Sequence, residues 1–115
     1  MISGKDFIRI ALSFPGTEQK PHFERMGFKV INKKMYATYL DTNNTTNIFL
    51  TPGEQRLFCK ADTKHIYPVP NKWGERGATT FELNKVSMEI LMEALLSAYN
   101  DVMNSSDKKK NKKKA

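Results

Sequence analysis

The chain has 115 residues, of which 39% are hydrophobic and 27% charged, and its formal net charge is +7. This length suits one domain, and no apolar run approaches the roughly 18 residues of a membrane span. The single cysteine, Cys59, excludes an internal disulfide and a thiolate zinc site. Because the N-terminus lacks the pattern of a signal peptide, a cytoplasmic protein is expected.

Most of the positive charge lies at the C-terminus. Residues 107–115 carry six lysines and one aspartate, which leaves residues 1–106 with a net charge of +2. A lysine run of this kind is typically solvated and disordered, and it attracts any polyanion without sequence preference. We therefore predict one domain over residues 1–104, followed by a lysine-rich, disordered tail over residues 105–115.

The first predicted element is a helix capped by Ser3. Apolar residues recur at helical spacing from Phe7 to Phe14, and Pro15-Gly16 ends the pattern. The composition then becomes typical of strands in the runs GFKVI, MYATYL and TNIFLT. The segments NKK and TNNT between these runs predict turns, and the whole predicts an antiparallel meander.

A short second helix is predicted from Thr51, because Pro52 suits the first helical position and Glu54 completes a capping box. The prolines of YPVPNKW require an extended path, and ATTFEL predicts a further strand. Ser87 caps a long final helix with an apolar stripe up to Val102. This order predicts an α+β fold, an antiparallel sheet with the N- and C-terminal helices packed on one face and a short helix inserted before the last strand.

Four segments resemble the MmcQ/YjbR-like family of small bacterial proteins. They are ALSFPGTEQKPHF, FKVINKKMYATYL, YPVPNKWGERGATTFEL and the closing amphipathic helix, and together they span residues 3–104. The resemblance implies a frataxin-like (CyaY-like) fold. It also implies a DNA-binding role, because the family is commonly described as binding DNA through a double-wing arrangement. The chain departs from the family at Ala78, where relatives are expected to have an aromatic residue, and in its lysine tail.

Metal binding and catalysis are not predicted. Iron on a frataxin-like fold needs a ridge of carboxylates, and the first helix offers only Asp6, between Lys5 and Arg9. His22 and His65 have no histidine or cysteine at ligand spacing, so neither a metal site nor a cofactor is expected. The chain has no nucleophile motif, no phosphate-binding glycine loop and no paired carboxylates, and a non-enzymatic protein is predicted.

The segment NKWGERG has two interpretations, and the sequence leaves both open. As a structural corner, it would pack Trp73 over the core while Gly74 and Gly77 permit a tight turn, and packing is the favoured interpretation for this tryptophan. As a binding loop, it would present Trp73 with Lys72 and Arg76 to phosphates or bases.

Basic turns complete the predicted nucleic-acid-binding surface. Its candidate residues are Arg25, Lys33, Lys34, Lys72, Trp73 and Arg76. Contacts between these side chains and phosphates would give weak, salt-sensitive DNA binding with little sequence discrimination. His22 is expected to orient its turn through a hydrogen bond rather than to act as an acid or base.

The alternative function is a protein- or small-ligand-binding module that uses the open face of the sheet. Basic residues clustered on one face would favour DNA, whereas an apolar or aromatic groove would favour a ligand. A monomer is expected, and no membrane partner is predicted.

Overall fold

The structure, a computed structural model, describes residues 1–104 with their side chains and the backbone of the last helix as far as Lys114. The predicted tail, 105–115, lies outside the residues whose side chains are described, so its disorder stays a prediction. Within the described residues, the helices are α1 (Gly4–Ala11), α2 (Pro52–Ala61), α3 (Lys72–Glu75) and α4 (Met88–Lys114). The strands are β1 (Thr17–His22), β2 (Arg25–Val30), β3 (Met35–Leu40), β4 (Thr45–Phe49), β5 (Ile66–Pro68) and β6 (Ala78–Glu82).

The six strands form one antiparallel sheet in the order β1-β2-β3-β4-β6-β5. Strands β1 to β4 are consecutive hairpins, β6 pairs with β4, and β5 lies at the far edge. The predicted α+β class is confirmed. The sequence did not predict β1, β5 or α3, which are polar, short or interrupted by proline and so lack an apolar period.

Helices α1 and α4 cover one face of the sheet and enclose the core. The Phe7 ring of α1 stacks 5.5 Å from Tyr39 and meets Phe28 edge-on at the same centroid distance. In α4, Leu91 and Leu95 are fully buried. Because side chains alternate between the two faces of a strand, every second strand residue points to the opposite face, which α1 and α4 leave uncovered.

A β-bulge in β3 changes which side chains reach this open face. The register between β2 and β3 shifts after Phe28, so that Tyr36 and Ala37 both lie opposite this residue. Both are fully buried. Their neighbours Met35 and Thr38, which pair with Lys29 and Gly27 of β2, consequently both point to the open face.

The helix starts follow the predicted caps. Ser3 Oγ accepts a hydrogen bond from the backbone N–H of Asp6 at 3.1 Å. Thr51 and Glu54 form the predicted capping box, with bonds of 3.2 and 2.9 Å. Ser87 Oγ accepts from the N–H of Ile90 at 3.2 Å. Among the described residues, no helix combines the length and apolarity needed to cross a membrane.

Candidate functional site

A cleft of about 700 Å³ lies on the open face of the sheet. Its floor comes from four strands, β2, β3, β4 and β6. Its sides are the β1–β2 turn, the segment around α3, and the residues next to β3 and β4, Lys34 and Leu50. The floor residues are Arg25, Met35, Thr38, Asn47, Phe49 and Ala78, and the sides are formed by His22, Phe23, Glu24, Lys34, Leu50, Val69, Asn71, Trp73 and Arg76.

Trp73 lies at the side of the cleft and is 61% exposed. The preference for a packed tryptophan is therefore wrong. The reason is local: Asn71 Oδ1 accepts from the Trp73 N–H at 2.9 Å and begins α3, and this short helix leaves the indole in solvent. The Arg76 guanidinium lies 5.9 Å from the centre of the indole ring, within the range of a cation–π interaction.

The two glycines of NKWGERG allow close approach of backbone segments. A Cβ on Gly74 would lie 1.7 Å from the Val69 carbonyl oxygen, and one on Gly77, where φ is +119°, would lie 1.8 Å from the Leu50 carbonyl oxygen. Buried Gln55 of α2 adds hydrogen bonds from Nε2 to the carbonyls of Gly74 and Ala78, at 2.9 and 3.1 Å. These contacts hold α3 against β6 and thereby fix the position of Trp73.

Arg25 places a cation at the floor of the cleft. Its Nε donates to Thr38 Oγ1 at 2.7 Å, while its Nη2 is buried and has no hydrogen-bond partner within the described structure. Burial lowers the pKa of this guanidinium, and the neighbouring Glu24 raises it to a smaller extent. Of the ion pairs formed by the described residues, none involves Arg25.

Three of the five predicted basic residues line the cleft. Arg25, Lys34 and Arg76 line it together with a single carboxylate, that of Glu24, whereas Lys33 and Lys72 are not among the lining residues. The cleft therefore combines the two features that the sequence analysis treated as alternatives, because basic residues and an apolar, aromatic groove occur on the same face.

A fixed amide adds polar recognition to the floor. Asn47 Oδ1 accepts from Thr80 Oγ1 at 2.8 Å across the β4–β6 pair. This bond orients the amide and leaves Nδ2 without a partner among the described residues. Asn47 can therefore donate to an oxygen or ring nitrogen of a bound ligand.

His22 lies at the end of β1 and lines the cleft. Its ring meets Phe23 edge-on, with the centroids 4.9 Å apart. The hydrogen bond predicted to orient this turn is not found among the described residues, where the aromatic contact takes its place. Phe23 was missed by the sequence analysis as a site residue, and so were Thr38, Asn47 and Gln55.

Other groups with chemical potential lie away from the cleft. The His65 ring is 3.1 Å from the Asp62 carboxylate in the turn between α2 and β5. Cys59 is half-buried on α2, and burial raises the pKa of its thiol. Within the described residues, no three His, Cys, Asp or Glu side chains are grouped to hold a metal ion.

Comparisons with known proteins include a solved structure of similar fold. No protein-family model matches the chain, and no curated protein matches its sequence. The crystal structure of Deinococcus radiodurans protein DR2400, which has a DUF419 domain, superposes with a TM-score of 0.71 at 24% sequence identity. The match covers 86% of this chain and 77% of the other. DUF419 is a YjbR/MmcQ-like family, and the likeness shows that the two proteins share a fold.

Proposed function

We propose that the chain is a member of the MmcQ/YjbR-like family and a non-enzymatic protein that binds nucleic acid in the cleft, in single-stranded form. The observation that carries this proposal is the exposed indole of Trp73 in a cleft that is also lined by Arg25, Lys34 and Arg76. Nonspecific single-strand binders combine cations, which contact the backbone, with aromatic side chains, on which bases stack.

The concave shape of the site favours a single strand over a duplex. In a duplex, the bases are paired and stacked on one another, so an aromatic side chain cannot stack on a base without disrupting the helix. In a single strand, each base is free to enter the cleft. Lys33 and Lys72, which lie beside the cleft lining, would add phosphate contacts outside it.

The net charge agrees with weak, nonspecific binding. Residues 1–106 have a net charge of +2, and the tail is far more basic. The tail alone would attract any polyanion through counterion release. A test of the cleft must therefore separate its contribution from that of the tail.

The test is fluorescence anisotropy with a single-stranded oligonucleotide of about 12 nucleotides and with the matching duplex. A strand of this length is long enough to cover one binding site. The full chain and residues 1–106 are each titrated across a salt series. We expect residues 1–106 to retain binding and to prefer the single strand. Binding that disappears with the tail, or that is equal for strand and duplex, would contradict the proposal.

Two substitutions connect this binding to the cleft. Trp73→Ala should lower the affinity for the single strand about tenfold without changing the salt dependence, because stacking is worth 1–3 kcal/mol per base. Arg76→Gln should lower the affinity and also reduce the salt slope by about 0.7, the value for one phosphate contact. Arg9→Gln is the matched control, since Arg9 is an exposed arginine on α1, on the other face of the sheet.

A small anionic ligand with an aromatic ring is the second candidate, and the volume of the cleft favours it. Small-molecule sites typically enclose about 300–1,000 Å³, and this cleft falls within that range. Competition with a free mononucleotide separates the two candidates. Displacement of the oligonucleotide only at millimolar mononucleotide supports the strand, whereas tight mononucleotide binding without a measurable affinity for the strand supports the small ligand.

A further inference from the structure

The tip of the β1–β2 hairpin holds an exposed phenylalanine, Phe23, in a left-handed backbone conformation. Phe23 is 93% exposed, and its φ of +59° lies in the left-handed region. His22 and Arg25 pair across the hairpin, so Phe23 and Glu24 form a two-residue turn. Such turns favour glycine or asparagine where φ is positive, because a Cβ then crowds the following carbonyl oxygen.

The other left-handed residues follow the expected rule. Apart from glycines, the described residues with positive φ are Phe23, Asn32 and Asn44. Asparagine tolerates this conformation and is common in it, whereas a bulky residue there is a genuine outlier. Phe23 contributes nothing to the core that would offset this strain, because nearly its whole surface is exposed to solvent. Strained residues that persist in this way cluster at binding sites.

The ring of Phe23 lies at the cleft and not on an isolated surface. Phe23 lines one side and Trp73 lines another, and the two come from separate elements, the β1–β2 turn and α3. The edge-on contact with His22 restricts the orientation of the ring but leaves its surface accessible. Two exposed aromatic side chains therefore border one cavity.

Arg25 follows Phe23 by two residues and supplies the complementary charge. Its guanidinium is held by Thr38 and has no ionic partner among the described residues. One short turn therefore brings an aromatic ring and an unpaired cation to the same part of the cleft. A nucleotide unit has the matching pair of features, a planar base and a phosphate.

We propose that Phe23 is a base-stacking residue and that Arg25 contacts the phosphate of the same or the neighbouring nucleotide. This inference rests on the proposed function, and it assigns to the β1–β2 turn the contacts that single-strand recognition requires. The left-handed turn places the ring at the border of the cleft and destabilises the fold, and we assign this strain to ligand binding rather than to folding.

The test uses the full chain and two labelled strands of equal length and charge, one with bases and one entirely abasic. The lysine tail contributes equally to both, so the ratio of the two affinities isolates base contacts. We expect the wild-type protein to bind the base-bearing strand at least tenfold more tightly. Phe23→Asn should reduce this ratio fivefold or more and leave the affinity for the abasic strand unchanged. Phe23→Tyr, which keeps a stacking ring, should preserve the ratio.

A stability measurement accompanies the binding measurement. Because asparagine tolerates the left-handed conformation, Phe23→Asn should raise the midpoint of thermal unfolding by about 2–4 °C. A variant that is more stable but binds more weakly cannot have lost binding through unfolding. Leu57→Asn is the matched control, since Leu57 is 71% exposed on α2 and does not line the cleft. It should leave the ratio unchanged.

Arg25→Gln tests the phosphate contact. It should weaken binding of both strands and reduce the salt slope by about 0.7, while Arg9→Gln leaves the slope unchanged.

Two outcomes would contradict the proposals in different ways. If the wild-type protein shows no preference for the base-bearing strand, the proposed function is wrong, and so is the role of Phe23. Suppose instead the preference is present and is lost in Trp73→Ala but kept in Phe23→Asn. The proposed function then stands, and the inference about Phe23 is wrong.

Discussion

At the scale of single residues, the presentation of Trp73 depends on backbone contacts made by its neighbours. Gly74 approaches the backbone of Val69, and the Gln55 amide bonds to the carbonyls on either side of the turn. Without these contacts, four helical residues would not form a stable element, since isolated helices of this length do not persist in water. The exposed side chain that we assign to binding is thus supported by residues that face inward.

Gly74→Ala should be strongly destabilising. The added Cβ would lie 1.7 Å from the Val69 carbonyl oxygen, so the backbone must move, and we expect the free energy of unfolding to fall by about 2 kcal/mol or more. Urea denaturation measures this change. Gly53→Ala on α2 is the control, because its Cβ would have no neighbour closer than 4.0 Å. Equal stabilities of the two variants would show that the close approach is absent in solution.

At the scale of elements, the sequence predicts those that bury an apolar surface in a regular period. Helix α1 and strands β2 to β4 were predicted because their apolar residues repeat at 3.6 or 2 residues. Strand β1 reads TEQKPH and lies at the sheet edge, where it buries little, so its composition indicates no strand. Strand β5 has three residues and α3 has four, which is too short for a period to be seen.

The cleft could be predicted only in part, for a related reason. The composition of NKWGERG identifies Trp73 and Arg76 as candidates, since aromatic and basic residues occur there together. The contact between Arg25 and Thr38 depends on the register of β2 and β3, and the bulge at Tyr36 changes that register. The bulge leaves no signal in the hydrophobic pattern of this segment. The residues that form the floor of the cleft therefore cannot be predicted from the sequence and are identified only from the structure.

Removal of a predicted helix cap should have a measurable effect on α2. Thr51→Ala removes the side-chain oxygen that accepts from the Glu54 N–H, and it should lower the free energy of unfolding by about 1 kcal/mol. Chemical denaturation of the variant tests this value. Thr63→Ala is the control, because Thr63 is exposed in the following turn and makes no side-chain hydrogen bond in the described structure. A change of the same size in both variants would mean that the capping box does not stabilise the helix.

At the scale of the whole molecule, one carboxyl group couples the packing of α4 and α2 to pH. One oxygen of Asp101 on α4 is buried without a hydrogen-bond partner among the described residues. Burial, followed by the neighbouring carboxyl of Glu54 on α2, raises the pKa of Asp101 from 3.8 to about 6. The folded state therefore binds a proton more tightly at this group than the unfolded chain does, and its stability falls as the pH rises from about 4 to about 6.

Asp101→Asn should remove this dependence. Above pH 6, the variant should be more stable than the wild type by about 1 kcal/mol, a value reduced for solvent screening because the group is only partly buried. Well below the unfolded pKa of 3.8, the two should be equally stable, since Asp101 is then protonated in both states. Thermal unfolding across this range measures the difference, with Glu93→Gln, an exposed site on the same helix, as the control. A constant difference at every pH would contradict the assignment.

The two edges of the sheet decide how other molecules approach it. The outer strand β1 contains Lys20 and Pro21, and β5 at the opposite edge is three residues long and ends at Pro68. Proline has no N–H to donate to a neighbouring strand, and charged or very short edges pair poorly. An extended peptide therefore finds little backbone to extend the sheet, whether it comes from another protein or from a misfolded copy of this chain. The architecture leaves the open face of the sheet accessible to ligands, while its edges disfavour aggregation into fibrils.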